Sequence, residues 1–511
     1  MTPAARRAAL VAVFFAIAAA TIFRHEMWMD ELNTWDVVRD ATGLGSLFAN
    51  MHLEVHPALW YLALYPLTRV TADPRSMQLL HLLIATATAA VIVWAAPFRL
   101  WQRALIIFGY FFLYEFAIIS RGYALGLLAA VAACVVYCRP RPSPMLLAVL
   151  LAFVANTSFY GLILATALAL GIAVSGRVSG REAAPAALIY VAAAAIAMIT
   201  LYPKADNVFA REWHNTLEWP RVRATLSLIW AAYVPVPDFT SAAPWNSNWL
   251  FGASAFARRA QTGASAILGA ALFAAGVFAF RRDRAALVTY LSGSFAVLAF
   301  VYLKYTGGLR HHGHLFVLLL VAVWMTRAAR LETAAAGPAL ARQSVAPAAG
   351  WWNAVLVALL LAQTAAGAYF VVEDFRKPFS VSMQLTEFVR RLPASAEVVV
   401  AHPAFLNYAG PVLSGYLEHP VPYILSHRVV RGSYMLPDAE HQSGASAGDI
   451  AAQVERLASD SGRDVYVVTN NWQPAELGAA LAHFDRHLEG DERSVDVYVV
   501  HPPGGSARAA R

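Results

Sequence analysis

The chain has 511 residues, of which 59% are hydrophobic and only 14% charged, and its mean hydropathy is +0.51. That balance excludes an ordinary soluble globular protein and points to a polytopic membrane protein. A formal net charge of +7 would suggest nucleic acid in a soluble protein, but the basic residues here are mostly arginines in short loops between apolar runs, so they serve topology and no nucleic acid is implied.

The first apolar run, Ala8 to Phe23, follows Arg6 and Arg7 and leads into Arg24-His25-Glu26, with no small-residue cleavage pattern. It reads as an uncleaved first span with its N-terminus in the cytoplasm. Further spans are expected over residues 76–97, 104–119, 122–138, 144–157, 160–176, 186–202, 263–280, 285–303, 314–328 and 351–371. That makes about eleven transmembrane helices, each long enough to cross most of a bilayer core of roughly 30 Å. With the first span running outward, Arg99/Arg103, Arg139/Arg141, Arg177/Arg181, Arg281/Arg282/Arg284 and Arg327/Arg330/Arg342 all fall on the inner side, as the positive-inside rule requires.

This parity demands that two Pro-punctuated stretches, Pro57 to Leu67 and Ala224 to Val236, be interfacial or re-entrant helices on the outer face. Residues 24–75 and 203–262 then form the first and second large outer loops. They carry Trp28, Trp35, Trp60, Trp213, Trp219, Trp230, Trp245 and Trp249, expected as an aromatic belt at the headgroups. Cys134 and Cys138, at helical spacing in one apolar run, read as packing residues without disulfide geometry. Asn156-Thr157-Ser158 matches a glycosylation sequon, but it sits at a tight outer turn and no modification is assigned.

Residues 1–372 therefore form the membrane domain, and from Glu373 the pattern changes. Val398-Val399-Val400, Val465 to Val468 and Val495 to Val500 read as strands, alternating with amphipathic helical stretches at Asp449 to Ser459 and Leu477 to Leu488. A separate soluble α/β domain is expected over 373–503, placed outside the membrane by parity. Residues 504–511 are expected to be a disordered tail.

Chemistry concentrates at the outer ends of the spans. Asp30-Glu31 stands just beyond the first span, and Glu54-Val55-His56-Pro57-Ala58-Leu59-Trp60-Tyr61 follows in the same loop. An Asp at this surface can act as a general base if an acceptor hydroxyl comes near it. The plainer readings are a helix-end cap for the carboxylates and a Pro that simply starts the next helix. Ser120-Arg121-Gly122-Tyr123-Ala124-Leu125 lies at the outer end of a later span.

In this order and sidedness the segments resemble the GT-C superfamily of integral-membrane glycosyltransferases, in the branch of protein O-mannosyltransferases, aminoarabinose transferase and related bacterial enzymes that use polyprenyl-phosphate sugars. The resemblance rests on an acidic motif opening the first outer loop, a His-Pro with aromatic and aliphatic residues closing it, an Arg-x-Tyr-x-Leu segment, and many spans followed by an outer domain. It implies inverting transfer of a sugar from a polyprenyl-phosphate donor to a hydroxyl of a lipid-linked, glycan or protein acceptor at the outer face of a bacterial cytoplasmic membrane. Asp30 matches the family's catalytic base, and Glu31 would orient that base or raise its pKa by like-charge proximity. His56 occupies the place where aminoarabinose transferase has a phosphate-contacting Lys.

The leaving phosphate needs positive charge, and Lys304-Tyr305-Thr306-Gly307-Gly308-Leu309-Arg310-His311-His312-Gly313-His314 is the richest outer cationic cluster. Gly307-Gly308 lets backbone amides approach an anion, and Arg310 can grip one bidentately. The alternative is that Lys304 and Arg310 snorkel at span ends while the histidines cap helices. Arg121, with Tyr123 beside it, is the next phosphate candidate, and Glu115 inside a span is a partner for Arg121. His52/Glu54/His56 and His311/His312/His314 are compact enough to raise a metal site, but the relevant branch works without one, so neither metal nor cofactor is expected. Two other classes stay open. A lipid-linked glycan polymerase or ligase should depend on arginines and not on an acidic pair, and a lipid-linked sugar transporter should show internal repeats.

Overall fold

The computed structural model describes residues 1–51, 54–202, 213–241, 243–249, 255–335, 350–401, 409–417, 420–425, 428–430, 446–484 and 494–503. The first helices are Pro3–Ile22 (α1), Met29–Arg39 (α2), Leu44–Asn50 (α3), Leu59–Thr68 (α4), Arg75–Ala95 (α5), Leu100–Ile107 (α6), Tyr123–Tyr137 (α7) and Pro144–Ala155 (α8). There follow Phe159–Ser175 (α9), Ala183–Leu201 (α10), Trp219–Tyr233 (α11), Ala255–Phe280 (α12), Arg284–Leu303 (α13), Leu309–Ala335 (α14) and Gly350–Arg376 (α15). Among the described residues, seven of these (α1, α5, α10 and α12 to α15) are long and apolar enough to cross a membrane, and α7, α8 and α9 are shorter apolar helices. The chain thus has the make-up of a helical membrane protein.

Local signals set the helix ends. Thr2 accepts from the Ala5 amide at 3.2 Å ahead of Pro3, and Ser158 accepts from the Gly161 amide at 2.9 Å to start α9, each satisfying a donor that a helix leaves free. One expected span is interrupted. Over 104–119 the chain forms α6, an extended residue at Gly109, a π-turn over Tyr110–Glu115 and then a non-helical run to Gly122. The cause is close packing, for α15 approaches through Gly367, where a Cβ would lie 2.6 Å from the Phe108 carbonyl and 3.1 Å from the Tyr110 amide. Hydropathy alone does not register such an approach, because the run is apolar whether helical or broken.

The arginine-rich connections gather at one end of the bundle. Arg7 lies over the Trp94 ring at 5.6 Å, Arg177 donates to the Arg139 carbonyl at 2.9 Å, and Arg327 donates to Gln102 at 2.9 Å and Asn353 at 3.1 Å. Helix α11 begins at the opposite end, where Arg221 donates to the Tyr302 carbonyl at 2.6 Å, and descends between α12 and α14. Its last residue, Tyr233, meets the Tyr290 hydroxyl at 2.7 Å. The helix stops inside the bundle without stranding its carbonyls. Gln363 donates to Ala232 and Tyr233 at 2.8 and 3.3 Å, and Asn248 to Val234 at 2.8 Å, which is the condition for irregular backbone at such depth.

The chain continues through Ser382–Arg390 (α16), Ala409–Ser414 (α17) and Ala447–Ser461 (α18) with a sheet that has six strands among the described residues. The strands are Glu397–Ala401 (β1), Tyr423–Leu425 (β2), Arg428–Val430 (β3), Val465–Asn470 (β4), Ala482–Phe484 (β5) and Val495–Val500 (β6), in the order β3-β2-β1-β4-β6-β5. β1 runs parallel to β2 and β4, and the outer pairings are antiparallel. The helix expected over Leu477 to Leu488 is instead a short turn at Ala475–Leu477 followed by β5, and 485–488 lie outside the described residues. Pairing with Val495 and Val497 overrides the helical propensity of that Ala/Leu-rich stretch. The tail 504–511 also lies outside them.

One sheet face, with Val465, Val467 and Tyr498, packs on α18. The other, with Val400, Val468, Val495 and Val497, joins the same buried cluster as Phe379 and Leu385 and as Trp28 beyond α1. Arg39 on α2 donates to the carbonyls of Ser414 and Leu417 at 2.8 and 3.2 Å. The C-terminal segment thus packs against the stretch from Trp28 to Arg39 that follows α1.

Candidate functional site

The end of the bundle away from the arginine-rich connections is built around Asp30. Trp28 is extended and α2 starts behind it, so Asp30 and Glu31 occupy the first helical turn, where acidic groups meet the positive end of the helix. Asp30 Oδ2 lies 2.6 Å from Arg121 Nη1 and 3.2 Å from Arg310 Nη2. Arg121 comes from the unwound run after the π-turn, and Arg310 from the first turn of α14. The Arg310 guanidinium also lies over Trp28 at 5.1 Å and Trp245 at 5.7 Å. Burial alone would push the Asp30 carboxyl up, but Arg121, Arg310 and His56 outweigh it and hold it below the usual carboxylate range. The expected rise caused by Glu31 does not occur.

His56 joins from the side, with Nε2 3.5 Å from Arg121 Nη2 and Nδ1 3.7 Å from Glu54 Oε2. Glu54 accepts from Tyr61 at 2.8 Å and Asn33 at 2.9 Å. Tyr123 faces Arg121 at 6.0 Å and, edge-on, His311 at 6.0 Å. Tyr160 stacks on His311 at 5.0 Å, and Tyr305 meets the same imidazole at 5.6 Å. Two guanidinium groups thus face one carboxylate. Arg310 Nε, Trp28 Nε1 and the Tyr160 hydroxyl are buried there without hydrogen-bond partners among the described residues. Spare buried donors beside excess positive charge are what an anionic group such as a phosphate requires.

Several expected participants face elsewhere. Glu31 is fully buried and points to His25 at 3.2 Å, accepting also from the Trp28 amide at 3.2 Å and the Ser120 amide at 2.6 Å. Lys304 has its ammonium over Trp213 at 5.4 Å, and His312 reaches the Thr306 carbonyl at 2.7 Å. The Gly308 amide donates to His311 Nδ1 and the Leu309 amide to Asn246 Oδ1, both at 2.9 Å, so these amides are occupied by the protein. Gly307, at φ +69°, makes the turn that a side chain would strain.

Glu115 does not pair with Arg121; it accepts from Tyr110 at 2.6 Å and Trp245 at 3.2 Å. His314 Nδ1 lies 3.1 Å from the His311 carbonyl, and its ring shares Tyr123 and Tyr160 with the ring of His311. Among the described residues no group of three or more His, Cys, Asp or Glu side chains could hold a metal ion, and His52 lies outside them. Trp28, Trp35, Trp60 and Trp245 are interior residues, whereas Trp213, Trp219 and Trp249 are exposed. Only the latter suit a headgroup belt.

Sequence reasoning missed His25, Asp374 and the role of Trp245. The one available signal was a His and an Asp directly beyond the first and last apolar runs, where an uncompensated charge is costly. Comparison with protein-family models and with curated proteins finds no match.

Proposed function

We propose that the chain is an inverting glycosyltransferase of the GT-C type that uses a polyprenyl-phosphate sugar at the outer face of a bacterial cytoplasmic membrane. The observation that carries this reading is the clamp of Arg121 and Arg310 on Asp30, at the bundle end opposite the arginine-rich connections. Sequence separation makes the clamp specific, since Asp30 and Arg310 stand 280 positions apart.

In this reading the acceptor hydroxyl attacks the anomeric carbon, the bond from that carbon to the phosphate oxygen breaks, and the phosphate leaves with the electron pair. Asp30 takes the hydroxyl proton. Arg121 and Arg310 stabilise the leaving phosphate, with Tyr123, Tyr160 and His311 lining their side of the cradle. A phosphate that draws the arginines to itself also weakens their hold on Asp30, and the carboxylate becomes a stronger base when the donor is present. His56 adds a polar contact to Arg121. Tyr305 belongs to the rim of the donor site, His312 holds the Thr306 backbone behind it, and Glu31 supports Asp30; Lys304, turned to Trp213, is left outside the site. The chemistry needs no metal or cofactor.

Orientation is testable directly. With the about eleven spans proposed here, an alkaline phosphatase fused after Arg511 is expected to be active and a cytoplasmic reporter at the same place silent. The reverse pattern would put Asp30 on the wrong face.

The donor site has its own test. Purified protein in nanodiscs is expected to bind polyprenyl phosphate, and Arg310→Ala to weaken that binding by about 10- to 100-fold, since a charge-assisted contact is worth about 1.5–3 kcal/mol. Arg310→Lys should recover only part, because an ammonium cannot reproduce the fork. Unchanged affinity in Arg310→Ala would remove Arg310 from the site. The reaction itself is tested by transfer of a labelled sugar from a polyprenyl-phosphate donor, with mass spectrometry of envelope glycans and lipids from a deletion strain to identify the product.

A further inference from the structure

We infer that His25 is a positioning residue for this transfer: by bridging Glu31 and Asp374 it fixes where Asp30 stands against Arg121. The inference rests on the reading of Asp30 as the acceptor base.

His25 lies just beyond α1, wholly buried, with Nδ1 2.9 Å from Asp374 Oδ2 and Nε2 3.2 Å from Glu31 Oε2. The Phe379 ring covers it at 4.5 Å. Both ring nitrogens can donate at once only in the imidazolium form. Burial opposes that form, but the charges of Asp374 and Glu31 prevail and push the imidazole up to about 10. The bridge is therefore charged at neutral pH.

What Glu31 does with its remaining hydrogen bonds gives the bridge its consequence. It accepts from the amide of Trp28, two residues before Asp30, at 3.2 Å, and from the amide of Ser120, one residue before Arg121, at 2.6 Å. A single carboxylate thus ties the backbone on both sides of the Asp30–Arg121 ion pair, and His25 holds that carboxylate from behind. Asp374 anchors the other end of the bridge in the last turn of α15, where Arg24 donates to the Phe375 carbonyl at 3.3 Å and Ser380 to the Met27 carbonyl at 3.1 Å. The first and last long apolar helices are thereby joined directly behind the site.

His25→Gln removes the cation while keeping a polar side chain. In hydrogen–deuterium exchange of the full-length protein in nanodiscs, peptides spanning 25–33 and 117–124 are expected to exchange faster in His25→Gln and not in Asp30→Asn. In the transfer assay His25→Gln should lower kcat by about 10- to 100-fold, with acceptor KM within about threefold, because a displacement of about 1 Å at the reacting groups has that effect. Adding Asp374→Asn, which rebalances the buried charge, should restore part of kcat. Exchange identical to wild type in both peptides overturns the proposal, as does altered exchange with wild-type kcat, or a loss in kcat that the second substitution only deepens. A protein whose exchange responds as expected, but whose wild-type form transfers no sugar, locates the failure in the reaction and leaves the bridge standing.

Discussion

Asp30→Asn is expected to lower sugar transfer by about 10²-fold or more while leaving polyprenyl phosphate binding intact or tighter. The amide keeps the shape of the side chain but can neither accept the hydroxyl proton nor carry the charge that Arg121 and Arg310 grip at 2.6 and 3.2 Å. With that charge gone, both guanidinium groups are released to an incoming phosphate, so affinity for the donor should not fall. This separates a base from a counter-ion. Were Asp30 only a structural partner for the two arginines, its loss would loosen Arg310 over Trp28 and Trp245, and donor binding would decline together with transfer. Turnover close to wild type in Asp30→Asn would remove the carboxylate from the mechanism. A glycan ligase or a transporter built on the same bundle would also keep its function in that variant.

The residues that meet around Asp30 were legible where their position depends on which end of a helix they occupy. Parity of the arginine-bearing loops assigns residues 30, 56, 121 and 310 to one end of the bundle, and the structure brings all four within one network of contacts. Run length and loop charge are local properties, so they survive without tertiary information. The strands β1, β4 and β6 were readable for the same reason, as short Val-rich runs between turns.

What escaped depends on contacts between distant segments. The bond from His25 to Asp374 spans 349 residues, and no local pattern distinguishes His25 from a polar residue at a headgroup boundary. The break at Gly109 follows from the approach of Gly367 on another helix. The tryptophans divide into buried and exposed by what packs on them: Trp28 and Trp245 meet edge to face at 4.9 Å under Arg310, whereas Trp219 is 70% exposed. Trp suits either setting, since its ring is apolar and its N–H polar. Glu31 shows the same limit, because its adjacency to Asp30 suggested shared chemistry, yet successive residues of a helix point different ways.

Glu31→Ala is expected to give the largest loss of stability, about 3–5 kcal/mol. The substitution leaves the buried His25 with Asp374 as its remaining carboxylate partner among the described residues, and it strands the amides of Trp28 and Ser120 inside the protein. An orphaned buried donor costs about 1–3 kcal/mol. Glu31→Gln, which preserves an acceptor for one amide, should lose less. The pH dependence carries a definite sign. In the folded protein His25 is raised from its ordinary value of 6.5 to about 10, so the stability it contributes is fully present below about 6.5 and is lost as pH rises toward 10. Wild-type protein in nanodiscs should therefore melt at progressively lower temperature from pH 7 to 10. In Glu31→Ala the imidazole has one anion fewer to hold its proton, and the slope should flatten. Glu26, a partly buried carboxyl raised to about 7 and itself influenced by the His25 charge, titrates at the foot of that range, so the two curves are compared from about pH 8 to 10. Thermal unfolding followed by intrinsic fluorescence across that range is the measurement. Equal melting temperatures and parallel slopes would mean that the bridge adds nothing to stability, and that the ordering of the Trp28 and Ser120 backbones has another source.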